Sequence, residues 1–183
     1  MKNLKLVAVA FLGITSLISC DNNDVPVNEE EVITTVTTTL TNGTSVITLL
    51  SRDLDGDGPN APVVTVSGKL MASKVYTGRV TILNETETPA GDITAEVKGE
   101  GEEHQLFFQV PSVLGTFMYT DVDINGKPIG LEFTLTTKTA STGSLVVTLR
   151  HLPNKSASGV ANGDITNAGG ATDFAVTYPL VVE

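Results

Sequence analysis

Residues 32–183 predict an all-β fold, a single antiparallel β-sandwich of the immunoglobulin-like kind or a related one, and three observations carry that expectation. Threonine and valine dominate the stretch, and tryptophan is absent. No segment repeats apolar residues at helical spacing over three turns, whereas short alternating runs recur between Gly, Asn and Asp turns. Eight or nine such runs, each with one apolar face, need a second sheet to cover that face, and two antiparallel sheets packed together are the simplest solution.

In chain order, Val32 to Thr41 and Thr44 to Arg52 flank Asn42-Gly43, a dipeptide that accepts the positive φ angles of a tight hairpin turn. Val63 to Ser67 and Val75 to Leu83 are expected to be the next pair, followed by an acidic break over Asn84 to Pro89. Asp92 to Val97 predicts a turn or two of helix, capped by Asp92 and ended by Gly99. His104 to Val110 alternates, with His104, Leu106, Phe108 and Val110 on one side and Gln105 and Gln109 on the other. Thr116 to Thr120 is a further strand. Leu131, Phe133 and Leu135 share a face, as do Leu145, Val147 and Leu149, so these six are candidate core residues. A Gly-rich connection from Ser156 to Ala171 leads to a last strand with Phe174, Val176 and Tyr178.

The start of the chain has a different character. Lys2 and Lys5 are followed by a mostly apolar run from Leu6 to Leu17, then Ser19 and the only cysteine, Cys20, which is the layout of a secretory signal. The run is too short for a membrane-spanning helix, which needs roughly 20 apolar residues. Leu17-Ile18-Ser19-Cys20 resembles the lipobox of bacterial lipoproteins. That resemblance implies cleavage after residue 19, acylation of Cys20 and attachment to a lipid bilayer. Residues 1–19 are therefore expected to be a signal peptide and residues 20–31 a lipidated, acidic, flexible tether. Asp21 and Asp24 match opposing sorting patterns of such lipoproteins. The outer membrane is the expected location, on its periplasmic or surface side, and the inner membrane stays open.

Charge narrows the partners. Cleavage removes two of the 11 basic residues and none of the 21 acidic ones, leaving a formal charge of −12. Such a surface repels nucleic acid and anionic headgroups and favours cations or basic protein patches. With Cys20 acylated no thiol remains for a disulfide or a thiolate metal site.

Two loops suggest oxygen ligation. Asp53-Leu54-Asp55-Gly56-Asp57-Gly58 and Asp121-Val122-Asp123-Ile124-Asn125-Gly126 place oxygen-bearing side chains at alternate positions with glycine for a sharp turn, the way a short loop wraps calcium. Glu132 stands at the twelfth position of the second loop, but the flanks predict strands where an EF-hand needs helices, and the first loop has Val64 there. The competing expectation is a pair of plain turns, which select the same residues. Each loop is later followed by a Thr-Gly pair, Thr77-Gly78 or Thr142-Gly143, so the halves of the chain are candidates for a repeated hairpin unit.

The two histidines, His104 and His151, lie at strand ends with the parity of the apolar face. Brought together, they would form with Glu102 or Glu103 a candidate zinc or copper site. The bland alternative is two half-buried rings satisfied by backbone groups. Catalytic motifs are lacking: there is no Gly-x-Ser-x-Gly elbow, no His-Glu-x-x-His, and Lys155-Ser156 lacks the glycines of a phosphate loop. The chain is not expected to be an enzyme, with a carbohydrate-active carboxylate pair as a remote alternative.

Asp53 to Gly58, Asn84 to Pro89, Glu103-His104-Gln105, Arg150-His151-x-Pro153-x-Lys155 and Asn162 to Gly170 together resemble a group of small, mostly uncharacterised Gram-negative lipoproteins. Its members are often labelled "type 1 periplasmic binding fold", a name for two lobes of alternating strands and helices rather than the sandwich expected here. The resemblance implies capture of a scarce metal or nutrient beside a TonB-dependent receptor. Two functions follow as expectations: a lipid-anchored binding protein that captures a metal ion or small ligand for an outer-membrane receptor, or a calcium-stabilised structural or adhesive module whose partner is another envelope protein.

Overall fold

The computed structural model describes residues 31–183 apart from Asp57. Its first feature is the predicted hairpin, β1 (Thr35–Asn42) with β2 (Ser45–Arg52), in which Asn42 pairs with Ser45. The turn residues are thus Gly43 and Thr44, one position later than expected. Gly43 has φ +58° while Thr44 keeps an ordinary angle, the pattern of a II′ turn with glycine first. Asn42 instead ends the strand and donates its side-chain N–H to the Val75 carbonyl oxygen at 2.7 Å.

β3 (Val63–Val66) and β4 (Val75–Leu83) do not pair with each other. β3 folds back on β2, and β4 crosses to the free edge of β1, so the two lie on opposite sides of the first hairpin. After α1 (Ile93–Gly99), capped by Asp92 as predicted, come β5 (His104–Gln109), β6 (Gly115–Tyr119), β7 (Glu132–Thr137), β8 (Ser141–His151) and β9 (Ala171–Val182). They complete a six-stranded sheet, β3-β2-β1-β4-β7-β6, and a three-stranded sheet, β5-β8-β9. The all-β sandwich is as expected. Thr77-Gly78 lies in β4 and Thr142-Gly143 in β8, strands of different sheets, so no hairpin unit is repeated.

The core fills the space between the sheets. Leu131, Phe133, Leu135, Leu145, Val147 and Leu149 are all buried: Phe133 and Leu135 join Leu40, Tyr76, Val80 and Ile82 on the larger sheet, and Leu145, Val147 and Leu149 belong to the smaller. Phe108 and Phe133 meet with ring centroids 4.2 Å apart. Gly78 makes room for that ring, because a Cβ there would lie 2.2 Å from Phe133. Tyr178 ties the sheets together by donating its hydroxyl to the Val36 carbonyl at 3.2 Å.

β5 departs from simple alternation. Its second face, Gln105 and Phe107, is also buried. The Gly-rich connection folds two short 3₁₀ turns, Val160–Asn162 and Ile165–Asn167, and a small second core of Phe107, Val160 and Ala168 forms beneath them.

Strand direction gathers the chemistry at one end. β2, β4 and β6 run the same way, so the segments that follow them leave from the same end of the sheet. Residues 31–34, the end of β8 and the starts of β5 and β9 lie there too. A register shift between Leu149 and Arg150 makes Leu149 pair with Phe174 and Arg150 with Thr172. Asp173 is therefore the extra residue of a β-bulge, a device that re-aims a side chain. No helix among the described residues is long and apolar enough to cross a membrane.

Candidate functional site

The β5–β8 register makes His104 and His151 direct partners, and their rings stack with centroids 4.7 Å apart and planes within 8°. The strands thus bring the two histidines together, as the metal expectation required, but they face different neighbours. The His151 Nε2 is 3.6 Å from Glu103 Oε2, at the half-exposed surface. His104 is 1% exposed and points inward. Glu102 belongs to neither, since it accepts from the Asn125 side chain. The expected set of His104, His151, Glu102 and Glu103 is therefore divided between places.

What surrounds His104 is a different group. Its Nδ1–H donates to the Glu100 carbonyl oxygen at 3.2 Å, in the turn that leads from α1 into β5. That bond fixes the tautomer, so in a neutral ring Nε2 carries a lone pair. Nε2 lies 3.3 Å from Glu31 Oε1, within ion-pair distance once the ring is protonated but outside the alignment of a hydrogen bond. Asp173 is brought in by the bulge, and ligand atoms of Glu31, His104 and Asp173 all lie within 4.8 Å of one another. The Glu31 side chain is 14% exposed.

An imidazole lone pair facing a carboxylate in a buried site is repulsive, and a proton or a metal ion on Nε2 removes the repulsion. Burial by itself would lower the His104 pKa. The Glu31 carboxylate, the Glu100 carbonyl and Asp173 outweigh it and raise the pKa above the ordinary histidine value. One imidazole nitrogen with two carboxylates is also a ligand set for zinc and related first-row divalent ions. Glu31 falls within the expected tether, and no pattern in the sequence distinguishes it from the acidic residues before it. Asp173 was missed because parity with Phe174, Val176 and Tyr178 points it outward, and the bulge is invisible in the residue string.

The described calcium candidates lie at the same end, each with at least one side-chain atom hydrogen-bonded within the protein. In the first loop, Asp53 Oδ1 accepts from the Asp55 N–H at 3.3 Å, and Asp55 Oδ2 accepts from the Asn60 side chain at 2.7 Å. The Asn60 and Asp53 contacts hold the Asp55 pKa below its ordinary value. Asp57 is outside the described residues. In the second loop, both Asp121 oxygens accept backbone N–H groups, from Gly130 at 2.9 Å and Leu131 at 2.8 Å. Burial nevertheless raises its pKa. Asp123 Oδ1 accepts from the Asn125 and Lys127 N–H groups, both at 2.9 Å, and Oδ2 pairs with the Lys155 ammonium at 2.9 Å. Glu132, on strand β7, pairs with Arg79 at 2.6 Å.

Lys155 explains the second loop. It is 7% exposed and also donates to the carbonyls of Pro128, at 2.8 Å, and Gly101. The ammonium sits where three oxygens converge, so the loop is built around the chain's own cation. Asp121, Asp123 and Asn125 are not assembled as a calcium set: their side chains serve the backbone, Lys155 and Glu102. In the sequence Lys155-Ser156 shows only a phosphate-loop pair without its glycines, and nothing in the spacing of Lys155 marks it as the partner of Asp123.

A cleft of about 710 Å³ opens beside the His104 group, lined in part by Glu31, Asp173, Asp53, Asp55 and Phe174. Cys20 and the expected signal segment, residues 1–19, lie outside the described residues. Comparison with family models, curated proteins and solved structures finds no match for this chain.

The Lys155 brace generates a stability prediction. Lys155→Met strands the buried Asp123 carboxylate without a counter-charge and is expected to cost about 3–5 kcal/mol in urea denaturation. Burial would raise the Asp123 pKa, but the Lys127 N–H and Lys155 outweigh it and depress it. The pair's contribution is therefore present above the ordinary carboxylate pKa and lost as pH falls through the depressed one. Asp123→Asn should flatten that acid limb. A loss below about 1 kcal/mol in Lys155→Met, within the range of an exposed pair, would show that the brace does not hold these loops.

Proposed function

We propose that this protein is a lipid-anchored cell-envelope protein that captures a divalent transition-metal ion at Glu31, His104 and Asp173. One observation carries the metal reading: a tautomer-fixed, buried imidazole nitrogen held 3.3 Å from a carboxylate oxygen, with a second carboxylate in reach. A divalent ion would take the imidazole lone pair and neutralise both acids. Zinc and copper match the imidazole, and the carboxylates extend the range to harder first-row ions. Anchoring rests on the lipobox-like Leu17 to Cys20, and transfer of the ion to a TonB-dependent receptor rests on the lipoprotein resemblance. A calcium-stabilised module is the weaker reading, because the second loop is occupied by Lys155 and the described carboxylates of the first bond within it.

Calorimetric titration of the chelator-treated protein tests the site. Zinc should bind, and His104→Ala or the isosteric Asp173→Asn should weaken it by more than the roughly 10–100-fold that loss of an outer-shell partner costs. His151→Ala should stay within that range, since its ring only stacks on His104. Because a proton competes for Nε2 and the His104 pKa is raised, zinc affinity should still be climbing above about pH 6.5. Zinc binding unchanged by His104→Ala and Asp173→Asn would remove the proposal.

The anchor has its own test. Cys20→Ala should leave an unacylated precursor, and mass spectrometry of the wild type should find acyl groups on a terminus beginning at Cys20. An unacylated mature terminus would end the lipid-anchor reading.

A further inference from the structure

The metal group and the cleft share a wall. Glu31 and Asp173 line the cleft and also face His104, whereas His104 is 1% exposed and is absent from the lining. An ion between them would be closed off on its imidazole side and approachable on its carboxylate side. Three protein ligands leave at least one position open on a four-coordinate ion, as in sites that admit a further ligand. A volume of about 710 Å³ falls in the range of sites for small organic molecules.

The lining restricts what fits. Asp53 and Asp55 add negative charge beyond that of Glu31 and Asp173, and no Lys, Arg or His is among the described residues of the wall. Two carboxylates already balance a divalent ion, so an anionic donor would enter a site of net negative charge in which no described lining residue is basic. A neutral nitrogen donor, with or without a separate cationic group on the same molecule, meets no such opposition. Phe174, Val32, Leu54 and Pro62 give its carbon skeleton an apolar surface. The buried, unbonded Nε2 of His104 is the feature that distinguishes this wall from an ordinary acidic patch.

Resting on the metal reading above, we propose that the cleft binds a small nitrogen-donor organic ligand, an imidazole or amine, that completes the coordination of the ion held by Glu31, His104 and Asp173. The cargo is then a metal with a nitrogenous ligand rather than a bare ion or an anionic chelate.

Cobalt(II) in place of zinc makes the coordination visible. The protein is loaded with cobalt, bound metal is followed by equilibrium dialysis, and the visible spectrum is recorded while imidazole or acetate, each a one-point donor, is added. Imidazole should shift the bands to saturation with cobalt retained, and acetate should need at least tenfold more. Asp53→Asn with Asp55→Asn should narrow that gap by improving acetate. Cobalt bound with bands that imidazole leaves unmoved, imidazole that merely removes the metal, or acetate equal to imidazole would each overturn this inference while sparing the metal site. Failure of cobalt to bind at all would overturn both.

Discussion

A carboxylate or imidazole withdrawn from water needs a partner of the right kind, and the loop end of this sandwich meets that requirement in two contrasting ways. Around Asp123 the partner is built in: the Lys155 ammonium, two carbonyl oxygens and two backbone N–H groups satisfy one another. Three connections, those between α1 and β5, β6 and β7, and β8 and β9, are tied to one buried atom. Around His104 the arrangement is different. Its Nδ1 is committed to a backbone carbonyl, and its Nε2 faces Glu31 without a hydrogen bond. The first cluster is a finished brace, and the second is the one in which we propose a cation is held.

That difference arises from backbone geometry. Antiparallel pairing sends β2, β4 and β6 in one direction and so collects their acidic connections at a single end. The β5–β8 register then sets His104 beside His151, and the bulge in β9 turns Asp173 toward them. Glu31 arrives from the segment just before β1. The three candidate ligands thus come from three separate parts of the chain, 31, 104 and 173, two of them on strands. The cleft adjoins the third, where the chain approaches the sandwich.

Much of the fold was legible because alternation has a period of two and a one-residue slip would expose a whole face. Phe133, Leu135, Val147 and Leu149 declared their side in this way, and Gly43 declared its turn to within one residue. Strand partners were less legible: nothing in Val63 to Leu83 reveals that β3 and β4 flank a hairpin instead of forming one. Gln105 looked solvent-facing because polarity was the only guide, while its Nε2 in fact donates to the Val160 carbonyl at 2.9 Å under the 3₁₀ turns. Of the candidate site, the sequence supplied the histidine pair and its strand-end position. It withheld Asp173, whose orientation depends on a bulge, and Glu31, whose role depends on where an acidic run happens to meet the sheet. Lys155 was withheld for the same reason, since a buried ion pair between residues 32 positions apart leaves no local trace.

The account turns on whether a cation belongs between Glu31, His104 and Asp173, and zinc-soaked crystals measured at the zinc absorption edge address that most directly. An anomalous peak about 2.0–2.2 Å from His104 Nε2 and from one oxygen each of Glu31 and Asp173 is the predicted result. A peak seated instead on His151 and Glu103, or no peak in crystals grown above the His104 pKa, would contradict it.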